Sequence, residues 1–493
     1  MSQQEKSQVD KKMFIHIAIG IILMFAGWIV PPFATVTEIG MKILFIFIGV
    51  IYLWSTVETT WSSLLALIAI GLSGYSTGIA ATLASGFGNS TVLLVLFSMI
   101  LFGGVEKSGV AKYIARFFLT RKISNGRPYV FCFIFTFGIF VVSALTNTFT
   151  AIMLSWPIAY SILGELEYTN KDSFSKFFVF CAFVGSILGQ ITIPFRGSKI
   201  GLIKGFEAAY GGSLDFLMFI LLDVIMAVVL ILGLCLLCKF VYRCDVSRMK
   251  NFTVEYFTNN PLPPMTKTQK FYLATCFLYI IAILIPTMFD PTNFFIKALA
   301  TLGTYGITIV WVIFCCILHL DGKPVLNFKE VAAEKINWGV LLLVVIAIMM
   351  SSALTAESTG IKPLIMSILT PILGGHGIWG TAAILTVFAF LVTNVANNFV
   401  VASVMMPLWG TYAAEVGISA SAAPAIATVC ILCAYLAFLT PAASPYAGML
   451  FGNRDWFTPG EIFKMAIPFA IWIVISYLTI GYALAMFLFG LVA

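Results

Sequence analysis

The stretch Phe140-Val-Val-Ser-Ala-Leu-Thr146-Asn147-Thr148-Phe-Thr150 places three polar residues in the middle of an apolar segment covering residues 128–163. A second segment, 380–412, is interrupted in the same way by Asn397-Asn398-Phe399. A polar break inside a stretch long enough to enter a membrane has two readings: two spans joined by a tight turn, or a re-entrant hairpin whose tip stops at mid-membrane. Non-helical backbone at that depth survives only when buried in protein or lining a cavity.

Outward from these tips the chain reads as membrane throughout. Of its 493 residues, 60% are hydrophobic and 10% charged, with a mean hydropathy of +1.02. Soluble domains carry about 25% charged residues, so this composition excludes a water-soluble globule. Apolar runs of spanning length predict crossings near 13–30, 38–56, 61–75, 89–106, 177–210, 215–239, 271–288, 297–319, 338–356, 424–452 and 466–490. The fold class is therefore all-α membrane protein, with about eleven transmembrane helices plus two re-entrant hairpins. No cleavage site follows the first apolar stretch, which reads as an uncleaved helix. The ten cysteines lie mostly in apolar runs. The Cys235/Cys238 and Cys430/Cys433 spacings read as packing residues rather than a metal or redox motif, and His16, His319 and His376 form no cluster.

Charge sets the expected orientation. With eleven spans and an inside N-terminus, 22 of the 28 Lys and Arg residues fall in loops on the inside. The outside holds Lys42, Lys297 and Lys362, and Arg196, Lys199 and Lys204 lie within a span. That asymmetry follows the positive-inside rule. It predicts a cytoplasmic N-terminus and an extracellular C-terminus in the plasma membrane. The net charge of +7 thus reads as topology, and no nucleic-acid partner is expected.

The two halves repeat at a constant spacing of 251 residues: Glu106-Lys-Ser-Gly109 with Glu357-Ser-Thr-Gly360, Asn147 with Asn398, and Pro194-Phe-Arg-Gly197 with Pro445-Tyr-Ala-Gly448. Pro157 and Pro407 match with a slip of one. The expected organisation is N-terminal scaffold helices over 1–75, a first repeat over 76–242, a cytoplasmic linker over 243–270, and a second repeat over 271–493. Glu106 and Glu357 fall on opposite faces, so the repeats are inverted. Inverted repeats with broken helices are a transporter pattern, with the site at mid-membrane between the repeats. Helix ends there leave free N–H groups and partial positive charge, which suit a carboxylate. Freed carbonyls at the Pro194/Gly197 and Pro445/Gly448 breaks suit a small hard cation. The competing reading is that Thr, Asn and Ser only join helices.

A resemblance sharpens these expectations. Phe87-Gly-Asn-Ser-Thr91 leading to Glu106-Lys-Ser-Gly109, the Thr146-Asn147-Thr148 tip, the stretch 261–270, and Ile336-Asn-Trp338-Gly339 leading to Glu357-Ser-Thr-Gly360 look like the divalent anion/sodium symporter family, over most of the chain. The resemblance implies a homodimeric secondary carrier of di- or tricarboxylates or sulfate, working by alternating access of elevator type, by sodium symport or by exchange. It implies substrate ligands among Thr146, Asn147, Thr148, Asn397, Asn398, Arg196 and Ser444. Sodium, if it couples, would lie at Asn147 and Asn398; no other metal, cofactor or catalytic residue is implied. The sequence departs from the family where Phe399 replaces a hydroxyl residue and where Phe195 and Tyr446 replace a second proline in each break. Arg196 is the sharpest departure: a charge in mid-membrane costs at least ~2.5–3.5 kcal/mol and marks a functional position. It serves either as a fork for a substrate carboxylate or in place of a bound cation. Lys199 and Lys204 have the further option of reaching an aqueous face. A channel, a related carrier of another substrate and a membrane-embedded enzyme are the alternatives. No ring-forming filter loop and no catalytic constellation supports the first or the last.

Overall fold

The computed structural model describes residues 3–253, 255, 261–289, 293–320, 322–395, 398–441 and 443–492. The described chain is helical apart from a two-residue hairpin that pairs His319–Leu320 with Lys323–Pro324. In order, the first half holds α1 (Gln3–Phe25), α2 (Glu38–Thr56), α3 (Thr60–Leu72), α4 (Ile79–Phe87), α5 (Ser90–Lys107) and α6 (Ala111–Leu119). It continues with α7 (Pro128–Leu145), α8 (Thr148–Glu165), α9 (Ser173–Gly189), α10 (Lys199–Tyr210) and α11 (Phe216–Phe240). The second half holds α12 (Lys267–Met288), α13 (Phe294–Ile317), α14 (Phe328–Lys335), α15 (Trp338–Thr355) and α16 (Ile361–Leu373). It ends with α17 (Gly377–Thr393), α18 (Asn398–Val416), α19 (Ala422–Tyr435), α20 (Pro445–Gly452), α21 (Pro459–Ser476) and α22 (Tyr482–Gly490).

Among the described residues nine helices are long and apolar enough to cross a membrane, or ten if α16 and α17, bent by 106°, form one span. Apolar side chains such as Phe277, Leu278, Ile281, Ile313 and Phe314 stay exposed, as lipid-facing helices require. The sequence of a long helix, a short helix, a helix–break–helix pair and a second broken pair occurs twice: α5 to α10, and α15 to α20. Four helices lie where no element is predicted. They are α4 between the spans predicted at 61–75 and 89–106, α6 in the expected basic loop, α14 before Trp338, and α16 after Glu357. The second helix pair also extends beyond 380–412, to 377–416.

The breaks have local causes. Thr146 Oγ1 donates to Val142 O at 2.6 Å and closes α7. Asn147 Oδ1 then accepts the Thr150 N–H at 2.8 Å and caps α8, the role for which Asn is favoured. In the second half Ser444 accepts the Ala447 N–H at 3.1 Å, and Pro445 opens α20, where its missing N–H costs nothing.

Small residues set the packing of α9 on α7. A Cβ on Gly189 would stand 2.1 Å from Phe140 O, and one on Gly185 2.4 Å from Thr136 O. Both obstacles are backbone, so a methyl must push the helices apart. Gly189→Ala is expected to destabilise the protein by about 1–3 kcal/mol, read as a lower melting temperature of the purified protein. An unchanged melting temperature would show that the α7–α9 contact tolerates the separation.

Candidate functional site

The first tip and the first break face a cavity of about 700 Å³. Thr146, Asn147, Thr148, Arg196, Gly197, Ser198 and Lys199 line it, with Phe102 and Glu106 from α5, Lys335 and Asn337 flanking the start of α15, and Tyr435 and Tyr446 from the second break. The two breaks are joined directly. Gln190 Nε2 donates to Tyr435 O at 2.8 Å, and the Ser198 and Tyr435 hydroxyls lie 3.0 Å apart. The Phe149 and Tyr446 rings meet at 4.8 Å, tying the first tip to the second break. The cavity thus sits where broken helices of the two repeats converge.

Its electrostatics favour an anion. Arg196, Lys199 and Lys335 are the cationic lining residues, and Glu106 and Glu334 the anionic ones. Glu334 pairs with Lys107 at 3.0 Å, an ammonium it shares with Glu330. Arg196 Nη1 donates to Ser143 O at 3.2 Å and to Ala144 O. Its guanidinium carbon lies 5.1 Å from the Phe102 ring centroid. These are last-turn carbonyls of α7, which have no intrahelical partner. Arg196 therefore occupies the position of a cation at the negative end of that helix. Lys199 is buried and donates to Gln190 O. Lys204 pairs with Glu207 in the next turn of α10 and does not line the cavity.

The second tip is placed differently. Asn397 lies outside the described residues. Asn398 is buried, its carboxamide oxygen accepts the Phe399 N–H at 2.8 Å, and it is absent from the cavity wall. Facing of Asn147 and Asn398 across one cavity is therefore not what this conformation shows. Ser444 Oγ donates to Ala437 O at 2.8 Å while capping α20, so both hydroxyl functions are spent on the break. Pro194, Pro445 and Gly448 shape the breaks without lining the cavity.

Four residues gain a place that sequence reasoning did not give them. Glu106 appeared only as a repeat marker and Tyr446 only as a departure from a motif; Lys335 and Tyr435 carried no local signal. Asn394, also unremarked, fastens the second break. Its Nδ2 donates to Phe390 O at 2.8 Å and Leu436 O at 3.3 Å. Its Oδ1 accepts the N–H groups of Phe438 and Leu439, each at 2.8 Å. With both ends of the carboxamide satisfied, Asn394 holds backbone rather than ligand.

Comparison with known proteins places this geometry in context. A family model described as citrate transporter, CitMHS, matches residues 43–432. An uncharacterized transporter of Haemophilus influenzae is 23% identical over 98% of this chain and 99% of its own length. The crystal structure of the YdaH transporter of Alcanivorax borkumensis, described as having an unusual topology, superposes with a TM-score of 0.58. The match is 13% identical and covers 82% of this chain and 87% of that one, so the likeness is one of fold.

Proposed function

The chain belongs to the citrate transporter family, and on that premise we propose that it is a secondary carrier of di- or tricarboxylates working by alternating access. It is a multi-pass membrane transporter and not an enzyme. The observation that carries the proposal is the composition of the cavity: donors from a capped helix tip, three cationic side chains and two tyrosines, gathered where both repeats are broken. With Glu106 and Glu334 on the same wall the cations remain in excess by one, and such a wall complements an acceptor-only anionic ligand. Its volume lies within the usual range of small-molecule sites, about 300–1,000 Å³.

Glu106 and Glu357 support alternation. The Glu106 carboxylate accepts from Asn147, while no hydrogen bond joins the equivalent Glu357 to Asn398 among the described residues. One member of each inverted pair is engaged and the other is not, as expected of one of two states related by the pseudo-two-fold. In the proposed orientation, N-terminus cytoplasmic and C-terminus extracellular in the plasma membrane, the engaged tip is the inner one. An elevator-type movement of the paired broken helices and a homodimeric assembly belong to the same proposal and rest on the family resemblance.

The test is counterflow of labelled citrate and succinate in proteoliposomes. A carrier gives saturable uptake driven by unlabelled substrate inside. Uptake linear in concentration and indifferent to internal substrate would indicate a channel. Saturable sulfate flux without carboxylate flux would replace the substrate class.

A further inference from the structure

We propose that Glu106 is a tethered anion occupying the subsite for a substrate carboxylate, so that substrate binds by displacing it. The proposal rests on the carboxylate reading of the cavity. Glu106 ends α5, outside the hairpin, yet its carboxylate makes the contacts of a bound ligand. One oxygen accepts from Asn147 Nδ2. The other accepts from Thr150 Oγ1 at 3.0 Å and from Lys335 Nζ at 2.8 Å. The donors come from the tip, the first turn of α8 and the end of α14. The carboxamide orientation is fixed, because the Asn147 oxygen is already used by the Thr150 N–H. An amide N–H, a hydroxyl and an ammonium converging at the positive end of a helix make a site whose complement is a carboxylate.

A resident anion also solves an electrostatic problem of the empty carrier. Without Glu106, the Lys335 ammonium would join Arg196 and Lys199 as a third cation on the cavity wall with no carboxylate bonded to it. With Glu106 in place the ammonium is neutralised at 2.8 Å. When substrate arrives its carboxylate takes over the same three donors, and Glu106, on the cavity wall and 20% exposed, turns to the water-filled side. Held on the protein, Glu106 competes at an effective concentration of millimolar or more, which keeps substrate binding weak enough for release.

Acetate is a probe that matches the vacated carboxylate without depending on the identity of the transported substrate. In purified full-length Glu106→Ala, sodium acetate is expected to raise the melting temperature saturably relative to sodium chloride. Half-saturation should lie at least about tenfold below any response of the wild type. Glu106→Ala with Lys335→Ala should lose the response. If Glu106→Ala does not fold, Glu106→Gln decides: without the competing charge it should bind citrate about tenfold more tightly than wild type. Equal acetate responses of Glu106→Ala and wild type, or weaker citrate binding by Glu106→Gln, would overturn the proposal. Failure of the carrier reading would look different, as absence of saturable carboxylate binding and flux in the wild type whatever acetate does to the alanine variant.

Discussion

Asn147→Ala is expected to reduce carboxylate flux by at least ~100-fold while the protein still inserts and purifies. The carboxamide makes two contacts whose loss can be sized. Its nitrogen donates to the Glu106 carboxylate, a charge-assisted bond of about 1.5–3 kcal/mol, and its oxygen caps α8 at Thr150, about 1 kcal/mol. A combined change of about 2.5–4 kcal/mol at the binding tip corresponds to roughly two to three decades in an equilibrium constant. Asn398→Ala should be comparably inactive, although Asn398 does not reach this cavity, because in the proposed inverted partner state it would meet Glu357. Cysteine pairs separate the two states. Glu106→Cys with Asn147→Cys should cross-link in one state, and Glu357→Cys with Asn398→Cys in the other, each trapping the protein in that state. Counterflow in proteoliposomes and cross-linking on gels check both statements. Normal transport by Asn398→Ala would end the equivalence of the two tips.

The membrane class, the helix break at Thr146-Asn147 and the break at Ser444-Pro445 were legible in the sequence, because these residues act through the nearest turns of their own helices; the second expected tip, Asn397-Asn398, lies partly outside the described residues. The 251-residue register was legible for the same reason: it copies local breaks. What escaped was non-local or state-dependent. The Lys112 and Arg116 charges of α6 satisfy the positive-inside rule whether or not the segment is helical, so they read as loop. Lys335 comes to Glu106 only through the packing of α14 on α5, 229 residues away in sequence. Tyr446, noted for its bulk, turned out to face the cavity, whereas Phe195, noted on the same grounds, packs between Phe216 and Tyr279 in the core. The symmetry of the two tips pointed to a symmetric site. In the proposed alternation each state engages one tip at a time, and a sequence repeat carries no information about which.

Arg196 supports the largest ion effect expected of any single substitution. The four last carbonyls of a helix need partners from outside it. In α7, Val142 O accepts from Thr146 N and Thr146 Oγ1, and Ser143 O and Ala144 O accept from the Arg196 guanidinium. A sodium ion seeking these same carbonyls meets a guanidinium, a delocalised cation that keeps its charge in proteins. Two unit charges about 4 Å apart at an effective dielectric near 20 repel by about 4 kcal/mol, which weakens sodium binding roughly a thousandfold. Wild-type counterflow should therefore persist when sodium is replaced by choline. In Arg196→Asn the two carbonyls are released and the fixed charge is gone, so sodium should now bind. Because Arg196 also lines the substrate cavity, the variant needs a readout independent of flux. Sodium chloride against choline chloride should raise the melting temperature of Arg196→Asn saturably and leave wild type unmoved. A wild type whose transport collapses in choline would show that sodium binds beside the guanidinium and that Arg196 serves the substrate alone.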